Sequence, residues 1–180
     1  LFGYQKEEVI GENLNILMQK EIAVLHDDYL RKSVAEKSAN KFATERIVYG
    51  RSKSNYLIAI RVVVKAFFQK ETFFIGKIIG VNKTMWISDV MTDSSGRLKM
   101  FSEAAIKMLG LSLRDCERET PIDTLLPQFS LFAEYERNQA QNQTVTLTSG
   151  TFNINVQSSI YENMKEGMIV FNISKKVNDS

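Results

Sequence analysis

The sequence predicts an α+β fold made of two small units, each an antiparallel sheet with short helices over one face. Three observations carry that prediction. Short helical patterns followed by three strand-like runs occur twice along the 180 residues. Polar turns join the strand-like runs, which points to hairpins and a meander rather than βαβ crossovers. The length allows one medium domain or two small ones, with a soft boundary at Gly80-Val81-Asn82-Lys83. The first domain is accordingly placed at 1–81 and the second at 82–180.

In the first unit, KEEVIG (Lys6–Gly11) reads as a short polar helix stopped by Gly11, and Asn13–Met18 as a further turn. Glu21–Lys37 is the longest helical candidate, because Ile22, Leu25, Tyr29 and, one turn on, Ser33 recur at 3/4 spacing. Strands are expected over Phe42–Tyr49, Tyr56–Phe68 and Thr72–Val81, the last two rich in β-branched residues. Gly50–Asn55 and Gln69-Lys70-Glu71 supply the hairpin turns.

The second unit opens with a strand at Trp86–Met91, a turn at Asp93-Ser94-Ser95-Gly96 whose glycine takes the positive φ, and a returning strand at Arg97–Phe101. Ser102 is the expected cap of a helix running through Met108 and stopped by Gly110. Pro121–Leu126 is a short helical or loop segment ended by Pro127. Strands then follow over Thr144–Leu147, Thr151–Ile160 and Gly167–Ile173.

Composition narrows the function classes. With 44% hydrophobic and 24% charged residues the chain is globular. Its 23 basic and 21 acidic residues leave a net charge of +2 without long like-charged blocks, so neither nucleic acid nor a polybasic membrane contact is expected. Arg61, Lys65, Lys70 and Lys77 interrupt every apolar run before it reaches the ~20 residues of a membrane span. Cys116 stands alone, which excludes an internal disulfide or a multi-cysteine metal site and favours a reducing, cytoplasmic setting. The N-x-S/T matches at Asn82, Asn142 and Asn172 read as chance in an Asn-rich chain. The start at Leu1-Phe2-Gly3-Tyr4 rather than methionine suggests a segment of a longer protein that can carry spans, a catalytic domain or a tether elsewhere.

The stretch LFGYQKEEVIGENLNILM, followed by HDDYL and ERIVYGRSKSNYLIAI, closely resembles the PAS domain family from the end of that fold's first helix to its central strands. VMTDSSGRLKMFSEAAIKMLGLS resembles the family's opening hairpin and first helix (strand, D-x-x-G turn, strand, helix, L-G). The second match runs over roughly Trp86–Ser174 and loosens past Pro127. The first unit lacks the two strands that the family places before L-F-G-Y; either they lie upstream in the parent chain or this copy is incomplete. The order of the two units also resembles large multi-pass protist membrane proteins of the tiny-macrocysts type. The resemblance implies a five-stranded antiparallel sheet with short helices over one face, and between them a space that is packed solid or holds a small ligand. Partners are expected on the outer sheet face or on flanking helices.

Two cofactors are tested by the motifs. GENLNILM (Gly11–Met18) has the spacing of the flavin-photoreceptor version, in which a cysteine follows the asparagine, but Leu14 stands there, so adduct photochemistry is excluded and flavin ranks last. The bland reading puts Leu14, Ile16 and Leu17 in the core. Haem is the alternative. In the PAS domains of rhizobial haem oxygen sensors, HD-x-Y-[IL] supplies the proximal ligand, and an arginine twenty residues later responds to bound oxygen. His26-Asp27-Asp28-Tyr29-Leu30 and Arg46-Ile47-Val48-Tyr49-Gly50-Arg51 reproduce that separation, and Lys32 falls where the family has a propionate-binding arginine. The resemblance thus implies His26 as iron ligand with Lys32 and Arg46 as cofactor-binding residues. Against it, Lys41 replaces an apolar distal residue, Lys53-Ser54-Asn55 replaces the usual K-D-G turn, and H-D-x-Y-L also occurs in PAS domains without haem. A cavity without haem ranks first.

Other features have structural readings. Phe67, Phe68, Phe73 and Phe74 plug the core or form a dimer face, and Trp86 serves either core or interface. Asp89 and Asp93 are not read as a catalytic pair, since Asp93 belongs to its turn. Cys116, between Arg114 and Arg118, is read as a solvated loop cysteine. With one histidine, one cysteine and no phosphate-loop, zinc or nucleophile motif, catalysis is not expected. The expected role is a tandem, non-catalytic sensory and regulatory region in signal transduction, acting through protein partners or other domains of its own chain, in the cytoplasmic part of a protein that can be membrane-associated.

Overall fold

A computed structural model of the chain describes residues 1–36, 44–68, 70, 72–81, 87–139, 146–149, 152–158 and 167–175. Phe42, Lys41, Trp86, the boundary residues Asn82 and Lys83, and the sequon Asn142 lie outside the described residues. The fold is α+β. It divides into two compact units, Leu1–Ser54 with Ile58–Asn82, and Asn55–Leu57 with Lys83–Ser180.

In the first unit, Lys6–Glu8 and Leu14–Leu17 are 3₁₀ turns rather than α-helical turns. The Asn13 side chain accepts the Asn15 N–H and so starts the second turn, the local bond for which asparagine is favoured at such positions. Leu14 is 48% exposed and Ile16 and Leu17 are half-buried, correcting the expectation that all three enter the core.

Helix α1 (Lys20–Ala35) follows, and its buried stripe runs through Ile22, His26 and Tyr29. Leu25 lies at the exposed flank of that stripe, and Val24 is fully on the solvent side. Strands β1 (Arg46–Arg51), β2 (Leu57–Phe68) and β3 (Thr72–Gly80) form a sheet in the order β1-β2-β3. β2 and β3 pair antiparallel from Ile60↔Gly80 to Phe68↔Thr72, a long register for a three-residue connection. The turn segment before β2 starts later than expected, because Gly50 and Arg51 extend β1. A side chain at Gly50 would collide with the Phe2 ring at 2.8 Å and the Leu17 carbonyl at 3.1 Å, so only glycine lets the N-terminal segment lie against β1. The Lys53 N–H donates to the Phe2 carbonyl at 2.8 Å, and the Lys53 ammonium pairs with Glu8, fastening the same segment to the hairpin.

The second unit holds β4 (Ile87–Thr92), β5 (Leu98–Phe101), β6 (Thr146–Ser149), β7 (Phe152–Ser158) and β8 (Ile169–Lys175) in the order β5-β4-β8-β7-β6. All its pairings are antiparallel. Between the first hairpin and the closing meander lie α2 (Ala104–Leu109), α3 (Leu113–Glu117), α4 (Ile122–Leu125) and α5 (Leu131–Gln139). These helices supply Ala105, Ile122 and Leu131, with Leu126 from the residue that ends α4, to a core that Val90, Ile154, Phe171 and Ile173 fill from the sheet. Alternation along β4 and β8 puts Val90 opposite Phe171 on that face, and each large apolar side chain buried there contributes about 1.5–3 kcal/mol.

Ser102 does not cap α2. Its hydroxyl accepts the Asp89 N–H at 3.0 Å, continuing the β4–β5 ladder past Phe101, and Glu103 takes the N-cap position. Gly110 closes α2 at φ 73° and Gly96 occupies its turn at φ 74°, as their positions require. Helices α3 and α5 are additions to the sequence reading, and Cys116 accordingly sits on α3, partly packed against the core, not in a solvated loop.

Candidate functional site

His26 sits on the inward stripe of α1, half-buried, one position from Asp27, whose carboxylate accepts the Asn15 side-chain amide at 3.1 Å. Burial lowers the His26 pKa below its ordinary 6.5; the Arg46 guanidinium adds to the depression, and Asp27 opposes both. The imidazole is therefore neutral at pH 7. Its Nδ1 is buried without a hydrogen-bond partner among the described residues. The helix α1 and the first residue of β1 thus bring His26 and Arg46 within electrostatic reach of each other. Lys32 stays exposed on α1. Six residues from His26 on an α-helix, it lies well around the helix from that stripe.

This arrangement can be set against what haem requires. A neutral imidazole is the ligating form, and the described residues provide one. A ligating histidine ordinarily donates its second ring N–H to a fixed acceptor, and none is found for Nδ1 among the described residues. No group of three or more His, Cys, Asp or Glu that could hold a metal ion occurs among the described residues.

Three further buried polar atoms lack partners among the described residues: Asn15 Oδ1, Gln19 Oε1 and Arg51 Nε. All three belong to the segments that bracket the start of α1 and the end of β1. Arg51 uses Nη2 to donate to the Ile16 carbonyl at 3.4 Å.

Partners are expected on an outer sheet face, and in the first unit the strand register names the residues that form one. Strand alternation places Arg61, Val63, Lys65 and Phe67 of β2 on one face with Phe73, Ile75, Lys77 and Ile79 of β3. Their register pairs form four rungs, Arg61↔Ile79, Val63↔Lys77, Lys65↔Ile75 and Phe67↔Phe73. In the first three rungs cation and apolar group exchange strands at each step. In the fourth, the Phe67 and Phe73 rings stack at 5.0 Å with 10° between planes. Phe73 is 44% exposed, Ile75 56% and Ile79 41%. Glu45 pairs with Arg61 at 3.2 Å, and a shallow depression of about 340 Å³ is lined by Glu45 and the three rungs. Phe68 and Phe74 point to the opposite face and are half-buried, so the four phenylalanines divide between the two sides. The signal for this face lay in the sequence, as cations four residues apart within a strand pattern.

In the second unit, Asp89 is buried and accepts the Asn172 side-chain amide at 2.8 Å, its register partner on β8. Asp93 Oδ1 accepts the N–H groups of Ser95 and Arg97 at 2.9 and 3.0 Å. Both carboxylates thus serve structure. Burial pushes the Cys116 thiol up to about 12, with Asp115 and Glu117 adding to it, so the flanking arginines do not activate it.

No helix among the described residues is long and apolar enough to cross a membrane. Compared with protein-family models and with curated proteins, the chain matches none.

Proposed function

We propose that the chain is a PAS-type, non-catalytic regulatory and interaction region, working in signalling as the cytoplasmic part of a longer protein that can be membrane-associated. The observation that carries this reading is the sheet of the second unit. Its opening hairpin β4–β5 and its closing meander β6–β8 join through the β4–β8 pair, with four short helices between them. That layout agrees with the D-x-x-G hairpin, helix and L-G motifs on which the PAS resemblance rests. In the first unit β3 pairs only with β2 among the described residues, which suits a copy whose opening strands are contributed from elsewhere. A non-catalytic role is supported by a cysteine that is not a thiolate at neutral pH and by carboxylates engaged in turns and ladders.

The second reading is a haem-based oxygen or redox sensor with His26 as proximal ligand. The observation in its favour is the neutral imidazole within reach of the Arg46 charge. An absorption spectrum and an iron determination on the purified protein separate the two. A protein without a Soret or flavin band and without stoichiometric iron fits the first reading, and a Soret band with one iron per chain replaces it with the second.

A further inference from the structure

From the edge of β3 that faces away from β2, we infer that two copies of the chain join there, each β3 pairing antiparallel with the other about a two-fold axis through Gly76, so that their two three-stranded sheets become one. The inference rests on the interaction-region reading and names its partner, a second copy of this chain. Strand β3 runs nine residues, and among the described residues it bonds only to β2. Strands are commonly about 5–6 residues long. Edges are ordinarily blunted by proline, a bulge or several charges, because an edge is a row of backbone donors and acceptors ready for another strand. Strand β3 carries no proline, and Lys77 is its one charge. Its pairing with β2 runs unbroken from Ile60↔Gly80 to Phe68↔Thr72, without a bulge. At its centre Gly76 is exposed, and a Cβ there would meet nothing within 4 Å.

The residues of β3 select both the occupant and the register, because the strand is complementary to itself. A two-fold axis normal to the sheet keeps the same face of both copies on one side, so it passes through a residue and not between two. With the axis at Gly76, the central residue, the whole strand overlaps. Phe73 then lies opposite Ile79 of the second copy, and Ile75 opposite its Lys77. Aromatic and β-branched side chains directly opposite each other stabilise a ladder, and here each ammonium faces an isoleucine instead of its own kind. An axis at Lys77 would set the two ammoniums directly opposite, which is destabilising. One at Ile75 would shorten the overlap. At the Gly76 axis the stacked rings of Phe67 and Phe73 gain Ile79 of the second copy as their next neighbour. Each copy uses the same edge, so the pairing closes at two.

The test uses the whole 180-residue protein. Analytical ultracentrifugation is expected to show a reversible dimer, and hydrogen exchange to show protection of β3 amides that rises with protein concentration. Ile75→Lys sets like charges opposite each other twice across the axis and is expected to weaken the dimer about tenfold or more. Ile75→Glu places a carboxylate opposite Lys77 of the second copy and is expected to tighten it. Gly76→Lys sets two ammoniums opposite each other at the axis, while in a single copy its side chain enters open space, so it is expected to weaken the dimer and spare the fold. Gly76→Ala is expected to keep the dimer. Circular dichroism of each variant separates loss of pairing from loss of fold. A monomer at every concentration overturns the inference, as do open-ended polymers. So does a dimer that Ile75→Lys and Gly76→Lys leave unchanged, or one that protects amides only outside β3. One iron per chain overturns the interaction-region reading by itself, whatever the sedimentation shows, whereas failure of the dimer leaves that reading open to another partner.

Discussion

Asp123 holds the start of helix α5 by accepting the N–H of Phe132 at 2.9 Å with one carboxylate oxygen and the N–H of Ala133 at 3.0 Å with the other. The first N–H groups of a helix have no partner inside it, so a carboxylate from outside satisfies two of them and also meets the positive end of the dipole. Asp123→Ala is expected to destabilise the protein by about 1–2 kcal/mol. Asp123→Asn keeps one acceptor oxygen and is expected to fall between the two in urea denaturation. Equal stability of all three proteins would contradict the cap.

Gly96 and Gly110, the glycines at positive φ among the described residues of the second unit, separate backbone strain from steric collision. At Gly110 (φ 73°) a Cβ meets nothing within 4 Å, so Gly110→Ala is expected to cost only the left-handed strain, about 1–2 kcal/mol. At Gly96 (φ 74°) a Cβ would lie 2.5 Å from the Phe132 ring. Gly96→Ala is therefore expected to cost the strain plus about 1–3 kcal/mol of overpacking. In a Phe132→Leu background the excess should shrink, and thermal unfolding of the four variants measures it.

The strands were legible in the sequence because β2 and β3 combine β-branched runs with a three-residue turn, and a glycine marks the β4–β5 turn. Helix α5 was not legible, because its cap comes from Asp123, eight residues before Leu131, and Ser130 enters it at a φ of 46° that no local pattern advertises. The same limit hid the role of Ser102, whose hydroxyl serves a strand thirteen residues away instead of the helix beside it. At the candidate site the spacing of His26 and Arg46 could be read as a motif. Their electrostatic contact and the missing partner of Nδ1 depend on how α1 and β1 pack, which spacing does not contain.

Lys99 gives a prediction at alkaline pH. Its ammonium lies 2.6 Å from Glu119 and 3.4 Å from Asp93, tying β5 to the end of α3 and to the hairpin turn. Burial works to lower its pKa, but the bonds and charges of Glu119 and Asp93 outweigh it and raise the value above the ordinary 10.5. A raised folded pKa means that the contribution is complete below about pH 10.5 and is lost as pH rises through the folded value. Lys99→Met is expected to lower stability at neutral pH by about 1–3 kcal/mol and to flatten the alkaline limb of the stability curve. An alkaline limb identical to that of the unmodified protein would show that Lys99 is not its source.

His26 gives the opposite sign. Its folded pKa lies below the ordinary 6.5, so the fold favours the neutral ring. The associated stability is complete above pH 6.5 and is lost as pH falls through the folded value. The stability of the unmodified protein to urea should therefore fall on acidification below pH 6.5, over and above the carboxylate contributions, and His26→Ala should remove that part of the slope. Arg46→Ala should reduce it as well, since the guanidinium is one cause of the depression. At neutral pH His26→Ala is expected to cost about 0.5–3 kcal/mol through lost packing on the α1 stripe, with no change in the absorption spectrum. On the haem reading the same substitution abolishes iron binding, and Arg46→Ala alters oxygen affinity while iron stays bound. Iron present at one per chain in the unmodified protein and absent from His26→Ala would reverse the order of the two readings, because loss of packing alone cannot remove a stoichiometric metal from a folded chain.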